Sequence, residues 1–379
     1  MMKILITGAN GFIGKNLFFH LKNLGYNNIV GISSQNAEQD LENALSDVDF
    51  IFHLAGVNRP KDSQEYWNGN YGLTEKIASY LRLLGKNTPV IFTSSIQAEL
   101  ENEYGRSKKA AEEVLKSYAF NTGAAVVIYR LPNVFGKWCR PNYNSVVATF
   151  CYNIARDLPI EIHDPAKELS LVYVDDVVGD FVKTMHKIMQ PCDQKSPVFY
   201  TPNGEFNISI YKVTLQQLAD KLYAFKQSRD TLLMPSLDSK LNRKLYATFV
   251  SYLPVDQASY PLMMKLDHRG WLAEIIKSHS FGQIFVSRTK PGVTRGNHWH
   301  QTKVEKFIVI HGKALVKLRN ISSGQFMEYK VSSDKLQVID IPPGYTHSIT
   351  NIGQDDLITV FWADEIFDPE NPDTYYMEA

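Results

Sequence analysis

Cysteine is scarce in this sequence of 379 residues, with Cys139, Cys151 and Cys192 the three present. Their odd number and their spacing, unlike that of metal ligands, speak against a disulfide framework or a cysteine-held zinc. Reduced thiols in a reducing compartment follow, and the cytoplasm is the expected location. Charge of one sign is lacking too: Lys+Arg and Asp+Glu stand at 40 each. No basic field therefore exists to recruit nucleic acid. No uninterrupted apolar stretch approaches the ~20 residues of a membrane span. The opening MMKILITGAN reads as a buried strand running into a glycine loop rather than as a signal peptide. What remains is an ordinary globular composition, long enough for two domains with a core each.

Two halves differ in periodicity. In the first, short β-rich runs alternate with amphipathic stretches. The runs are KILIT (3–7), NIVGI (28–32), FIFHLAG (50–56), PVIFTSS (89–95) and AVVIYRL (125–131). Helices are predicted over 12–24, 73–84 and 107–118, and Thr214-Leu215-Gln216-Gln217 fits a capping box that opens a later helix. Continuous apolar strands separated by helices predict an α/β unit, a Rossmann-type doubly wound parallel sheet. Beyond about residue 250 the runs QIFVSRTK, KFIVIHGKALVKLRN, QFMEYKVS, LQVIDIP and LITVFWAD lie between Gly-, Pro- and Asp-rich turns. That half predicts an all-β barrel or jelly roll. The join falls within 228–254, and the expected domains are 1–247 and 248–379.

Gly8-Ala9-Asn10-Gly11-Phe12-Ile13-Gly14 follows the first strand and opens a helix. Glycines there let the backbone approach a pyrophosphate, while the helix N-terminus offers free N–H groups to the anion. An NAD-preferring site would carry an acid at the end of the second strand. That place reads Gly31-Ile32-Ser33-Ser34-Gln35, with no carboxylate to repel a 2′-phosphate, so NADPH is the expected cofactor.

Tyr104 and Lys108 stand four apart at the head of a helical stretch, which puts phenol and ammonium on one face. A nearby ammonium is expected to lower the pKa of a phenol and fit it for acid–base work. Ten residues upstream the fourth strand ends in Thr93-Ser94-Ser95, and the carboxyl end of a parallel strand is where such sheets bind ligands.

These residues together resemble the extended short-chain dehydrogenase/reductase family. The loop 7–14, His53-Leu54-Ala55-Gly56, Asn70, Thr93-Ser94-Ser95, Tyr104 with Lys108, Arg130-Leu131-Pro132-Asn133-Val134-Phe135-Gly136 and LVYVDDV (171–177) carry the likeness over about 240 residues. The resemblance implies that Tyr104 is the general acid, with Lys108 its partner and a ribose ligand. Ser95, or failing it Ser94, would hydrogen-bond the substrate carbonyl. The cofactor would lie against Gly8, Asn10, Gly11, Phe12, Ile13 and Gly14. Ser33, Leu54, Ala55, Gly56 and Ser94 would flank it, with Pro132 and Asn133 near the nicotinamide.

The second half contains Gly292-x5-His298-x-His300-x4-Glu305-x6-Gly312, then Pro342-x-Gly344-x2-His347-x3-Asn351. This resembles the two-part cupin metal motif, except that Leu336 stands where the second part usually begins with glycine. His298 and His300 share a face if they lie on a strand. With Glu305 and His347 they offer nitrogen and oxygen ligands to a divalent ion. Zinc is expected, although iron, manganese and nickel suit the same donors. Asp267-His268-Arg269-Gly270-Trp271-Leu272-Ala273-Glu274 resembles a stretch of deoxysugar 3,5-epimerases; a plain turn between strands is the alternative.

Over its whole length the chain is similar to the CapF (WbjC-type) family of bifunctional capsular-polysaccharide synthesis enzymes. Gly136-Lys137-Trp138-Cys139-Arg140-Pro141-Asn142-Tyr143-Asn144-Ser145, Val57-Asn58-Arg59-Pro60 and Phe367-Asp368-Pro369 carry this likeness. It implies a UDP-linked 4-keto sugar substrate and a homodimer. The cupin would epimerise C3, and the reductase domain would then reduce the C4 ketone. Order follows from chemistry, because the C4 carbonyl acidifies the C3 proton and reduction removes it. Three rivals stand beside this reading: a reductase with a structural cupin, a dinucleotide sensor without chemistry, and a 4,6-dehydratase. The last needs an acid/base pair where this chain reads Ser95-Ile96-Gln97-Ala98-Glu99.

Overall fold

A computed structural model describes residues 2–190, 198–201 and 208–379. Cys192 lies outside the described residues; Cys139 and Cys151 are free thiols. Two compact units emerge, Met1–Leu222 with Arg243–Leu253, and Tyr223–Asn242 with Pro254–Ala379. The chain thus changes unit three times, at 222/223, 242/243 and 253/254, around the expected join. No helix among the described residues is long and apolar enough to cross a membrane.

The first unit is built on five parallel strands, β1 (Ile4–Thr7), β2 (Ile29–Ile32), β3 (Phe50–His53), β4 (Val90–Ser95) and β5 (Val126–Leu131), with Val198–Thr201 at one edge. Spatial order is β2, β1, β3, β4, β5 and then that edge strand. Alternation of side chains explains the two layers. Leu5, Ile51, Val90, Phe92, Val126 and Ile128 pack on one face with Leu81, Ala111, Leu115 and Tyr118 from helices. Ile4, Ile6, Phe50, Phe52, Val127 and Tyr129 pack on the other with Leu17, Leu21, Val177 and Phe181. The predicted helices occur as Phe12–Asn23, Leu73–Leu83 and the longer Glu103–Thr122. Asn102 opens that last helix by accepting a bond from the Gly105 N–H at 2.7 Å. The capping box is present in both directions: Gln217 N–H donates to Thr214 Oγ1 at 3.2 Å, and Thr214 N–H to Gln217 Oε1 at 3.0 Å.

The second unit takes in the end of the helix Leu215–Thr231 and, from Met264 onward, consists of antiparallel β-strands. One sheet runs Met264–Asp267, Gly270–Ser278, Gly282–Thr289, Leu357–Ala363, Glu305–His311, Val338–Ile341. The other runs Phe326–Ser332, Lys313–Asn320, Tyr345–Asn351, Thr294–Trp299, Tyr375–Tyr376. Phe307, Val316, Leu318, Ile341, Ile349 and Phe361 form its core. The five expected runs are all strands, and LVKLRN separates from IVIH at Gly312, whose φ of 89° turns the chain. Asp267-His268-Arg269-Gly270 is the turn of a hairpin, since Asp267 pairs with Gly270.

Candidate functional site

The first unit holds a cavity of about 620 Å³ at the carboxyl ends of β1, β4 and β5. The glycine loop forms one wall. Gly8 adopts φ +71°, and a Cβ there would stand 2.8 Å from Ala55 backbone atoms. A Cβ on Gly14 would stand 2.2 Å from the Gly8 carbonyl oxygen. Both positions exclude side chains, so the helix start stays open to an anion. Asn10, Gly11, Phe12, Ile13, Leu54, Gly56, Ser94, Ser95, Tyr104, Lys108, Pro132 and Asn133 line the same cavity.

Ser33 and Ala55 are not among the lining residues. Ser33 is engaged by Asn36, whose Oδ1 accepts from its N–H at 2.9 Å. Ala55 N–H reaches Thr7 Oγ1 at 3.3 Å. His53 is fully buried between Thr7 Oγ1 at 2.7 Å and Thr74 Oγ1 at 2.9 Å. Burial, aided by the Lys108 charge, pushes its pKa down to about 3, so it serves as a neutral pin between strand and helix.

The catalytic candidates separate by their partners. Ser94 donates to the buried Glu112 carboxylate at 2.5 Å, which leaves Ser95 as the hydroxyl that meets the Tyr104 side chain. Ser95 also caps the short helix Ile96–Glu99 by accepting from Gln97 N–H at 3.2 Å. Burial pushes the Tyr104 phenol up, and the Ser95 hydrogen bond pulls it partly back. Lys108 Nζ donates to the Thr93 carbonyl at 2.9 Å, and burial brings its pKa down to about 8. The expected lowering of the phenol by Lys108 therefore does not occur: burial sets the upward direction, and Ser95, not Lys108, is the group that opposes it. The phenol stays protonated at neutral pH.

Spacing rules missed a second set of lining residues, Asn58, Trp138, Cys139, Arg140, Tyr143 and Ser145. The resemblance had marked their segments without giving them a role. Trp138 adopts φ 69°, which turns the chain there, and the Arg140 guanidinium lies 5.0 Å from the Tyr143 ring centroid.

In the second unit His298, His300, Glu305 and His347 bring one ligand atom each to within 4.8 Å of one another. His298 pairs with His347 across neighbouring strands, and their rings lie 4.5 Å apart. Glu305 Oε2 stands 3.4 Å from His300 Nε2 and 3.5 Å from His347 Nε2, too long for good hydrogen bonds. Both Nε2 atoms are buried without a hydrogen-bond partner. Orphaned buried acceptors are costly, and a divalent ion would satisfy both together, so the donor set fits a metal. Burial pushes His298 down to about 4, leaving it neutral at pH 7 as a ligand must be. Burial also disfavours the Glu305 charge, but His300 and His347 outweigh that and hold its carboxyl well below the usual range.

Residues 4–199 match the NAD dependent epimerase/dehydratase family, and residues 265–375 the polysaccharide biosynthesis C-terminal domain. The chain is 46% identical to the UDP-2-acetamido-2,6-beta-L-arabino-hexul-4-ose reductase of Pseudomonas aeruginosa, over 99% of this chain and 98% of that one. It superposes on the capsular polysaccharide assembling protein CapF of Staphylococcus aureus with TM-score 0.90 and 45% identity, covering all of both chains. The UDP-glucuronic acid 4-epimerase of Bacillus cereus, solved with NAD, shares the fold at TM-score 0.53 and 19% identity, over 66% of this chain and 98% of that one.

Proposed function

The chain belongs to the NAD dependent epimerase/dehydratase family, and on that premise we propose that it reduces the C4 ketone of a UDP-linked 2-acetamido-6-deoxy sugar with NADPH. The reductase name of the Pseudomonas relative supports this substrate class, and the Staphylococcus protein supports a place in capsule synthesis. The substrate is UDP-2-acetamido-2,6-dideoxy-β-L-arabino-hexos-4-ulose and the product a UDP-2-acetamido-2,6-dideoxy-L-talose, on the way to UDP-N-acetyl-L-fucosamine. A homodimer belongs to the same proposal.

The observation that carries the reading is that Ser95, Tyr104 and Lys108 line one cavity together with the glycine loop. Nicotinamide, when bound, supplies hydride chemistry. Tyr104 Oη gives the proton to the C4 oxygen, a task suited to a phenol that burial keeps protonated. Ser95 Oγ donates a second hydrogen bond to that oxygen and orients it. Lys108 holds a cofactor ribose hydroxyl. NADPH is preferred because Ser33-Ser34-Gln35 carry no carboxylate, and kcat/KM measured with both cofactors tests this.

For the second unit, the proposal is a zinc cupin that epimerises C3 before reduction. His298, His300, Glu305 and His347 would hold the ion, which would supply Lewis-acid polarisation of the ketone. A second reading, a purely structural ion, is favoured by one observation: three of the four ligands are buried, with His300 at 2%, Glu305 at 8% and His347 at 1% exposure. Closed four-ligand sites are typical of structural zinc.

NMR of the keto sugar in D2O with enzyme, before and after NADPH, decides between them. Deuterium at C3 before cofactor addition means epimerisation. Reduction without prior exchange means a reductase with a structural ion. No NADPH oxidation removes the whole reading.

A further inference from the structure

The segment 372–379 lies against His298 and His300 of the histidine cluster and against the neighbour of His347. Tyr375–Tyr376 adds a strand beside Thr294–Trp299, pairing Tyr376 with His298 and Tyr375 with Trp299. Met377 N–H donates to the Asn297 carbonyl at 3.0 Å. Thr346, next to the ligand His347, donates its hydroxyl to the Met377 carbonyl.

Asp373 is the centre of this clasp. Its carboxylate accepts the N–H of Gln301 at 2.8 Å, of Thr302 at 2.9 Å and of Lys303 at 2.9 Å, and the Thr302 hydroxyl at 3.1 Å. Those three residues form the turn between His300 and Glu305, so one carboxylate shapes the loop that spaces two ligands. Its own carbonyl stands 2.6 Å from His300 Nδ1. A carbonyl only accepts, so His300 carries a proton on Nδ1, and in the neutral ring that a metal requires the lone pair is then on Nε2. That Nε2 is the buried, partnerless atom facing Glu305 and His347. Lys303 adds a further tie, donating Nζ to the Pro372 carbonyl at 2.7 Å.

We propose that Asp373 is the positioning residue of the metal site, holding the tautomer of His300 and the 301–303 turn so that the affinity for a divalent ion depends on this C-terminal clasp. The inference rests on the reading of the four-residue cluster as a metal site. Partners behind ligands typically govern metal affinity by about 10–100-fold. The dependence is reciprocal: an ion that favours the ordered cluster must also favour docking of 372–379.

The test uses the full chain, with zinc affinity measured by competition against a chromophoric chelator. Asp373→Ala removes the acceptor of all four donors and should weaken zinc binding about 10–100-fold. Asp373→Asn keeps one carbonyl oxygen, able to accept two of the four bonds, and should fall between alanine and wild type. Nitrogen-15 imidazole NMR supplies a readout that a merely structural role would not move. The His300 Nδ1–H signal, sharp in the metal-free wild type, should broaden or change tautomer in the alanine variant. NADPH titration serves as a control on the rest of the chain. Wild-type zinc affinity and an unchanged His300 signal in the folded variants would overturn the proposal. If Asp373→Ala does not fold, wild-type affinity in Asp373→Asn does the same. Absence of stoichiometric zinc from the wild type would instead remove the metal reading beneath it.

Discussion

Arg130, on β5, grips Glu112, on the helix Glu103–Thr122, at two points: Nε to Oε1 at 2.9 Å and Nη2 to Oε2 at 2.6 Å. Glu112 is fully buried and also accepts the Ser94 hydroxyl. The pair therefore ties the helix of Tyr104 and Lys108 to two strand ends of the cavity. Removing one partner leaves a buried charge without compensation, which typically costs ~3–5 kcal/mol. Arg130→Ala should lower the stability of the first unit by about that much in denaturant unfolding. Arg130→Lys should recover only part, since an ammonium cannot make the planar two-point contact. An alanine variant within about 1 kcal/mol of wild type would mean that the pair contributes little.

Gly14 meets the Gly8 carbonyl too closely for a methyl group, with 2.2 Å available. Gly14→Ala must displace the loop, and overpacking of this kind costs ~1–3 kcal/mol. NADPH affinity should fall roughly tenfold, as 1.4 kcal/mol corresponds to that factor. Unchanged binding by fluorescence titration would show that the loop does not contact the cofactor.

Tyr104→Phe should cut NADPH oxidation by about 10²–10⁴-fold, the usual contribution of such proton transfer. Any C3 deuterium exchange should persist, because Tyr104 belongs to the first compact unit and the histidine cluster to the second. Residual reduction within about threefold of wild type, far short of that contribution, would eliminate Tyr104 as the acid.

Lys108 titrates at about 8, below the ordinary lysine value, because it is buried. Its charge is present below that pH and is lost as pH rises through it. If the ammonium holds the cofactor ribose, NADPH affinity should decline above about pH 8, and Lys108→Met should flatten the profile. Stability moves the opposite way. Between about 8 and the ordinary value the unfolded chain binds a proton that the folded chain does not, so this residue's contribution rises with pH. A flat affinity profile in the wild type excludes the ribose role.

His298→Ala should remove bound metal and lower the melting temperature of the second unit, since metal binding is linked to folding. NADPH binding should survive, as the first unit has its own core. Elemental analysis with a melting curve checks both. Full metal occupancy in His298→Ala combined with His347→Ala would defeat the site.

Local pattern alone determined a good deal of this protein. The apolar runs placed β1 to β5, because a strand buried on both faces must be continuously apolar. The glycine loop was legible from its place between strand and helix, and the Tyr104–Lys108 spacing because the helix period fixes which neighbours share a face. His300 falls just past the strand Thr294–Trp299, so its meeting with His298 was not a matter of strand period. Other relationships were decided by tertiary structure. Lys108 was expected to lower the Tyr104 pKa, and the spacing was right, but desolvation in the folded unit reversed the sign. Glu112 and Arg130 are 18 residues apart, and only the packing of a helix on a sheet brings them together. Asp373 lies 73 residues from His300, and no local period links them. Which strand borders which, and in what register, is settled by burial of the whole core, and through that register a late, unremarkable Asn-Pro-Asp-Thr came to frame the cluster.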